Sequence, residues 1–234
     1  MTTPKTALLI IGSAKPAGTS TSEALGGYLA QRLQERGIAT TTQHVARALR
    51  TGERTDALLA AVDAAGIVIL AFPLYVDTLP YLATQALEQI AAHRAGQTAA
   101  RRPLFLAIAN CGFPEAAHNA TALAVCRQFA EEVGFVWAVG LALGEGCAIV
   151  GRPLAAVGGM ARNVVAALDL VAAALAEGQP APEEAIALMA RPLVPTWAYM
   201  LMGAFGWMMQ ARQNRVLTRL GARPFESPLP RPSR

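Results

Sequence analysis

Five hydroxyl side chains and one lysine crowd the residues that follow the first apolar run: Ser13, Lys15, Thr19, Ser20, Thr21 and Ser22. No carboxylate intervenes before Glu23, so the group they could hold is an anion. A helix starting near Ser20 would add unpaired N–H groups and about half a positive charge at the same place. A phosphate monoester, doubly charged and rich in acceptors, suits such a loop. The spacing departs from two other phosphate loops. Gly12 and Gly18 enclose five residues, and Thr19 stands where a Walker loop needs lysine. The G-x-G-x-x-G pattern of dinucleotide loops is absent as well. The competing reading is an ordinary N-capped helix after a polar turn, because Ser and Thr are favoured at caps without any ligand.

Two further stretches could face the same ligand. "FPLYVDTLP", residues 72–80, is a rigid turn that presents Tyr75 between a buried run and a helix, the competing reading being a plain strand-to-helix turn. "NCGFPEAAHN", residues 110–119, contains Gly112, which lets backbone approach a ligand closely. Cys111 beside it reads first as a small buried residue, with a redox role as the alternative. Cys111, Cys126 and Cys147 form no C-x-x-C, and His44, His93 and His118 lie far apart, so no disulfide framework or metal site is expected.

The elements that must position these loops alternate. Residues 6–11 are continuously apolar, as in a parallel strand covered on both faces. Amphipathic helix is expected over 24–36, and a threonine-rich, less buried strand over 38–45. A polar connection over 46–55, a short helix over 56–64 and a central strand over 66–71 follow. A helix over 79–94, capped by Thr78 or Asp77, leads to a strand over 102–110. The series closes with helix 121–134, strand 135–143 and helix 155–177. Such alternation implies right-handed crossovers and one parallel sheet. The expected fold is α/β: a flavodoxin-like, doubly wound five-stranded parallel sheet of order 2-1-3-4-5, with ligands at the β1/β3 switch point.

At 234 residues and 53% hydrophobic, the chain can build one such domain and an appendage. The expected division is 1–178 for the ligand-binding domain and 179–234 for a C-terminal apolar and basic helical extension, with 178–182 as linker and a short helix over 183–189. The start of the chain lacks the features of a signal peptide, which points to a cytoplasmic protein. The net charge of +4 is unevenly spread: residues 191–234 hold seven arginines and one acid, and the other 190 residues carry a net of −2. A main domain without a basic stripe argues against nucleic acid as a partner. No charge occurs between Pro192 and Gln210, and an all-round apolar helix needs a cover. The covers weighed are a second subunit in a homo-oligomer, the ligand crevice, and a membrane surface contacted through residues 191–219; a span, which Pro192, Pro195, Gly203 and Gly206 weaken, and disorder are the remaining alternatives. The final "ESPLPRPSR" is expected to be flexible.

Taken together, "GSAKPAGTSTSEAL", "FPLYVDTLP" and "NCGFPEAAHN" resemble the phosphate loop and the two ring loops of the flavodoxin-like NAD(P)H-dependent FMN reductase and quinone reductase families. The resemblance covers about residues 5–177. It implies that Ser13, Lys15, Thr19, Ser20 and Thr21 hold the FMN phosphate. It also implies that Pro73, Leu74, Tyr75, Val76 and Asp77 line the isoalloxazine, with Asn110, Cys111 and Gly112 in the third loop. Many relatives carry a Gly-Gly pair with Ser or Thr in that loop, which this sequence lacks. The implied activity is electron transfer from NAD(P)H through FMN to a small-molecule acceptor such as a quinone or flavin. No protein acid or base is expected, since the cofactor carries the chemistry. The alternative is a non-catalytic electron carrier or redox-responsive binding module. A carrier of that kind docks through a strongly acidic surface, which this chain does not have.

Overall fold

The computed structural model describes residues 4–96 and 102–223. The expected flexible end over 226–234 lies outside the described residues. The chain divides into two compact units, Met1–Leu193 and Val194–Arg234.

The first unit is built on β1 (Thr6–Ile11), β2 (Ala39–His44), β3 (Ile67–Pro73), β4 (Leu104–Asn110) and β5 (Val136–Leu143). All neighbours pair in parallel, in the order β2-β1-β3-β4-β5. This is the expected flavodoxin-like topology. Its helices are α1 (Thr21–Gln34), α2 (Val45–Ala48), α3 (Gly52–Ala64), α4 (Tyr81–Arg94), α5 (Ala120–Glu132), α6 (Leu154–Val157), α7 (Arg162–Ala176) and α8 (Glu183–Met189).

Strand alternation sorts the core into two layers. Leu9, Ile11, Ile69 and Ile108 face the α1, α7 and α8 side. Leu8, Ile10, Leu70, Phe72 and Phe105 face the side of α3, α4 and α5. Because both faces are covered, β1, β3 and β4 could be continuously apolar. The threonines of β2 sit where the expectation put them, on a partly exposed edge strand.

Three boundaries differ from expectation for local reasons. Thr51 caps α3, its Oγ1 accepting from the Arg54 N–H at 3.4 Å, so that helix starts at Gly52 inside the expected polar connection. Pro80 takes the cap position of α4 without a side-chain bond, and neither Asp77 nor Thr78 caps it. The expected helix over 155–177 breaks at Gly158, whose φ of 68° leaves helical geometry.

The larger difference is the domain boundary. Ala185, Met189 and Leu193 are buried in the same layer as α1 and α7. The expected linker 178–182 is therefore an internal turn, its Ala181 N–H donating to the Ala138 carbonyl at 3.3 Å. The division falls after Leu193, not after residue 178.

The second unit contains α9 (Thr196–Gln213) followed by a short turn of 3₁₀ helix, Leu217–Arg219. Pro195 precedes α9 at its cap. Among the described residues one helical stretch is long and apolar enough to cross a membrane, Leu154–Ala176, which is α6 through α7 in the core of the first unit.

Candidate functional site

The first unit carries a cleft of about 230 Å³ at the carboxyl edge of β1, β3 and β4. This is the edge at which strand order reverses, because β1 runs outward to β2 while β3 returns on its other side. Gly12 brings the first loop against the neighbouring strand: its N–H donates to the Ala71 carbonyl at 2.8 Å, and a Cβ there would lie 2.8 Å from that of Phe72.

The loop after β1 is organised by its own hydrogen bonds. Ser20 is the N-cap of α1, and its Oγ accepts from the Glu23 N–H at 3.1 Å. Ser13 Oγ accepts from the Lys15 N–H at 3.3 Å, and Ser22 Oγ accepts from Asn110 Nδ2 at 2.8 Å. Each of these three serines accepts and so keeps its own proton to donate. All three are nearly fully buried and line the cleft with exposed Lys15. With the Glu23 N–H taken by Ser20, the first-turn N–H groups left without an intrahelical partner are those of Thr21 and Ser22, both of which line the cleft.

The two threonines differ. Thr19 Oγ1 donates to the Pro16 carbonyl at 2.6 Å, and Thr19 does not line the cleft. Thr21 lines it, but its hydroxyl proton goes to the Gly146 carbonyl at 2.8 Å, leaving only lone pairs toward an anion. Glu23 takes the Gly18 N–H at 2.6 Å, with His44 Nε2 3.6 Å from its other oxygen. That carboxylate closes the loop away from the cleft, whose lining contains no Asp or Glu.

Pro73, Leu74 and Tyr75 form the opposite wall. The Leu74 N–H donates to the Asn110 carbonyl at 2.8 Å, tying the β3 loop to the β4 loop. Beyond it the chain reverses in a tight turn closed by two backbone bonds between Tyr75 and Thr78, at 3.0 and 3.2 Å. Both central residues, Val76 (φ 49°) and Asp77 (φ 59°), are left-handed. A β-branched residue rarely adopts that conformation. Val76 is 96% exposed, and neither central residue lines the cleft.

Asn110, Cys111 and Gly112 line the third side. Asn110 is buried, its amide bridging Ser22 Oγ and the Phe72 carbonyl, the latter at 3.0 Å. Cys111 Sγ sits 3.7 Å from the carbonyls of Phe113 and Glu115 and accepts from Asn119 Nδ2 at 3.4 Å. Burial pushes its thiol up from the usual range, against the smaller pull of the Phe113 and Asn119 contacts. A neutral, enclosed thiol is a poor nucleophile.

Sequence reasoning missed the fourth wall: Gly146, Cys147 and Val150, from the loop after β5. The Gly146 N–H donates to the Cys111 carbonyl at 2.8 Å, and a Cβ on Gly151 would lie 2.4 Å from the Thr19 backbone. Glycine is the residue that fits there. The signal in the sequence was "GEG" immediately after a strand, which marks close backbone packing.

No protein-family model matches the sequence, and no curated protein matches it. Solved structures do match in shape. An apo NADH:FMN oxidoreductase is similar with a TM-score of 0.55 at 17% identity, over 82% of this chain and 96% of that one. The Trp repressor binding protein from Bacillus subtilis gives 0.50 at 12% identity, over 70% of this chain and 95% of that one. At such identities the likeness establishes the fold, and the fold is flavodoxin-like.

Proposed function

We propose that this chain is an FMN-dependent NAD(P)H oxidoreductase that passes electrons to a small acceptor such as a quinone or a flavin. The observation that carries this reading is the cleft at the β1/β3 edge. Three buried serines with protons to donate, one lysine and a helix start converge there, and no carboxylate lines it. Such a donor set fits a phosphate dianion, so the residues present fit the group.

Its volume is below the ~300–1,000 Å³ of pockets that enclose a whole ligand. A cleft of this size and openness suits a ligand held by its charged end and laid across an open side. In this reading Ser13, Ser20, Ser22 and Lys15 hold the phosphate. Thr21 acts one step back, buttressing the Gly146 wall, and Thr19 shapes the loop. Pro73, Leu74 and Tyr75 line the ring, and Val76 and Asp77 set the turn that presents Tyr75. Asn110 holds the ring loop and the phosphate loop in register through its bonds to Phe72 and Ser22. Cys111 packs as a neutral wall. When bound, FMN would supply hydride acceptance from NAD(P)H and delivery to the acceptor, the protein contributing position and electrostatics.

Ser20→Asp tests the phosphate assignment. Aspartate caps a helix as well as serine does, so α1 keeps its start while a negative charge enters the cleft. The expected result is a native melting temperature with flavin affinity reduced at least a hundredfold. Wild-type flavin content in the variant would contradict the assignment. For the activity, the purified protein should show flavin absorbance that NAD(P)H bleaches without air. A yellow protein inert to NAD(P)H would leave a carrier, and one that refuses FMN would end the reading.

A further inference from the structure

We propose that α9 and the arginines after it form a docking surface for anionic lipid, with the helix lying in the plane of the headgroups. The inference rests on the second unit alone and is independent of the function proposed for the first.

Trp197, Leu201, Phe205 and Trp207 of α9 are 69%, 63%, 69% and 76% exposed, and Met202 and Met208 join them. At about 100° per residue these side chains spread over more than half of the helix circumference. The rest is a narrow strip of Tyr199, Gly203, Gly206 and Gln210. A protein groove covers one narrow face of a helix, so an apolar arc this wide calls for a medium into which it can sink while the strip of Tyr199, Gly203, Gly206 and Gln210 stays at the surface. Tryptophan, here near each end of the apolar stretch, is the side chain that settles at a membrane–water boundary, with its ring in the acyl region and its N–H among the headgroups.

Charge selects the medium. Between Val194 and Arg223 there is no acidic residue; Arg212 lies in the last turn of α9, and Arg215 and Arg219 follow after the helix ends at Gln213. Parallel pairing of this segment with its counterpart in a second copy would set two such clusters against each other, and antiparallel pairing would leave both without a counter-charge. Anionic headgroups complement them. Length and polarity then decide how the helix lies. Its 18 residues reach about 27 Å against a hydrocarbon core of about 30 Å. Gln210 and Arg212 fall inside it, and it is not the helix long and apolar enough to span. An interfacial helix with a basic end is the arrangement left.

The test uses the full chain and phosphatidylcholine vesicles with and without phosphatidylglycerol. The protein should float with the anionic vesicles at low salt, stay behind with the neutral ones, and be released by raising salt. Tryptophan emission should shift to the blue with the anionic vesicles only. Replacing Arg212, Arg215 and Arg219 together by alanine should lower partitioning about a hundredfold, at roughly fivefold per arginine. An unchanged melting curve would show that the variant still folds. Three results would overturn the proposal. One is no flotation with either vesicle, and another is equal binding to both. The third is a dimer in light scattering that Trp207→Ser dissociates, which would make a second copy the cover.

Discussion

Two helices of this chain are rich in apolar residues and meet opposite fates. In α7, Val164, Ala167, Leu168, Val171, Ala172 and Leu175 recur at helical spacing and are all buried. Its outer side carries Asp169, which binds Arg32 at 2.8 Å and accepts the Tyr28 hydroxyl at 3.0 Å. In α9 the large side chains follow no single stripe, and Ala211 is its one buried residue among those described. Apolar content alone therefore does not say what becomes of a helix. A stripe of small and medium residues seats α7 on the sheet, while a girdle of tryptophan, methionine and phenylalanine leaves α9 uncovered within its own unit.

The contrast can be broken most strongly from inside the covered unit. Cys126 of α5 is buried, and burial pushes its thiol up to about 12 from 9.0. Below pH 9 both states keep the proton and stability is whole. Between about pH 9 and 12 the unfolded chain ionises first, so stability falls, by up to ~4 kcal/mol once the folded thiol also titrates. Denaturant midpoints followed against pH should show this loss, and Cys126→Ala should remove that part of it. Parallel pH curves for the two proteins would mean that the thiol is not shielded as described.

Next in size is Leu168→Ala, which opens a cavity in a fully buried site and should cost about 3 kcal/mol in chemical denaturation. A loss under ~1 kcal/mol would mean that α7 is not seated in a packed layer. The smallest expected change is in the other helix. Leu201→Ala in α9 should shift global stability by less than ~0.5 kcal/mol without lipid, since the side chain is 63% exposed. A loss comparable to that of Leu168→Ala would show that α9 is covered by protein, and the contrast would dissolve.

Much of the first unit was legible because its signals are local. The all-apolar runs of β1, β3 and β4, the exposed threonines of β2 and the hydroxyl-rich loop before α1 follow from side-chain period and turn chemistry. Where the structure departs from that reading, either packing distant in sequence or a local backbone angle is the cause. Leu193 and Met189 looked like part of an extension, yet they complete the layer formed by α1 and α7. Gly158 divides a stretch whose composition favours one helix, because its backbone turns left-handed. Val76 and Asp77, expected at the ring, take left-handed backbone in the turn beyond Tyr75 and are not among the residues that line the cleft.

Spacing along the chain is enough to set the order of strands and helices, the burial of the central sheet and the gathering of donors behind β1. Which donors still have a proton to offer was decided only by the tertiary structure. Thr21 gives its proton to Gly146 and Ser22 accepts from Asn110, partners brought in by β5 and β4. A hydroxyl has one proton, and the neighbour that takes it is chosen by how distant strands pack, which no local pattern records.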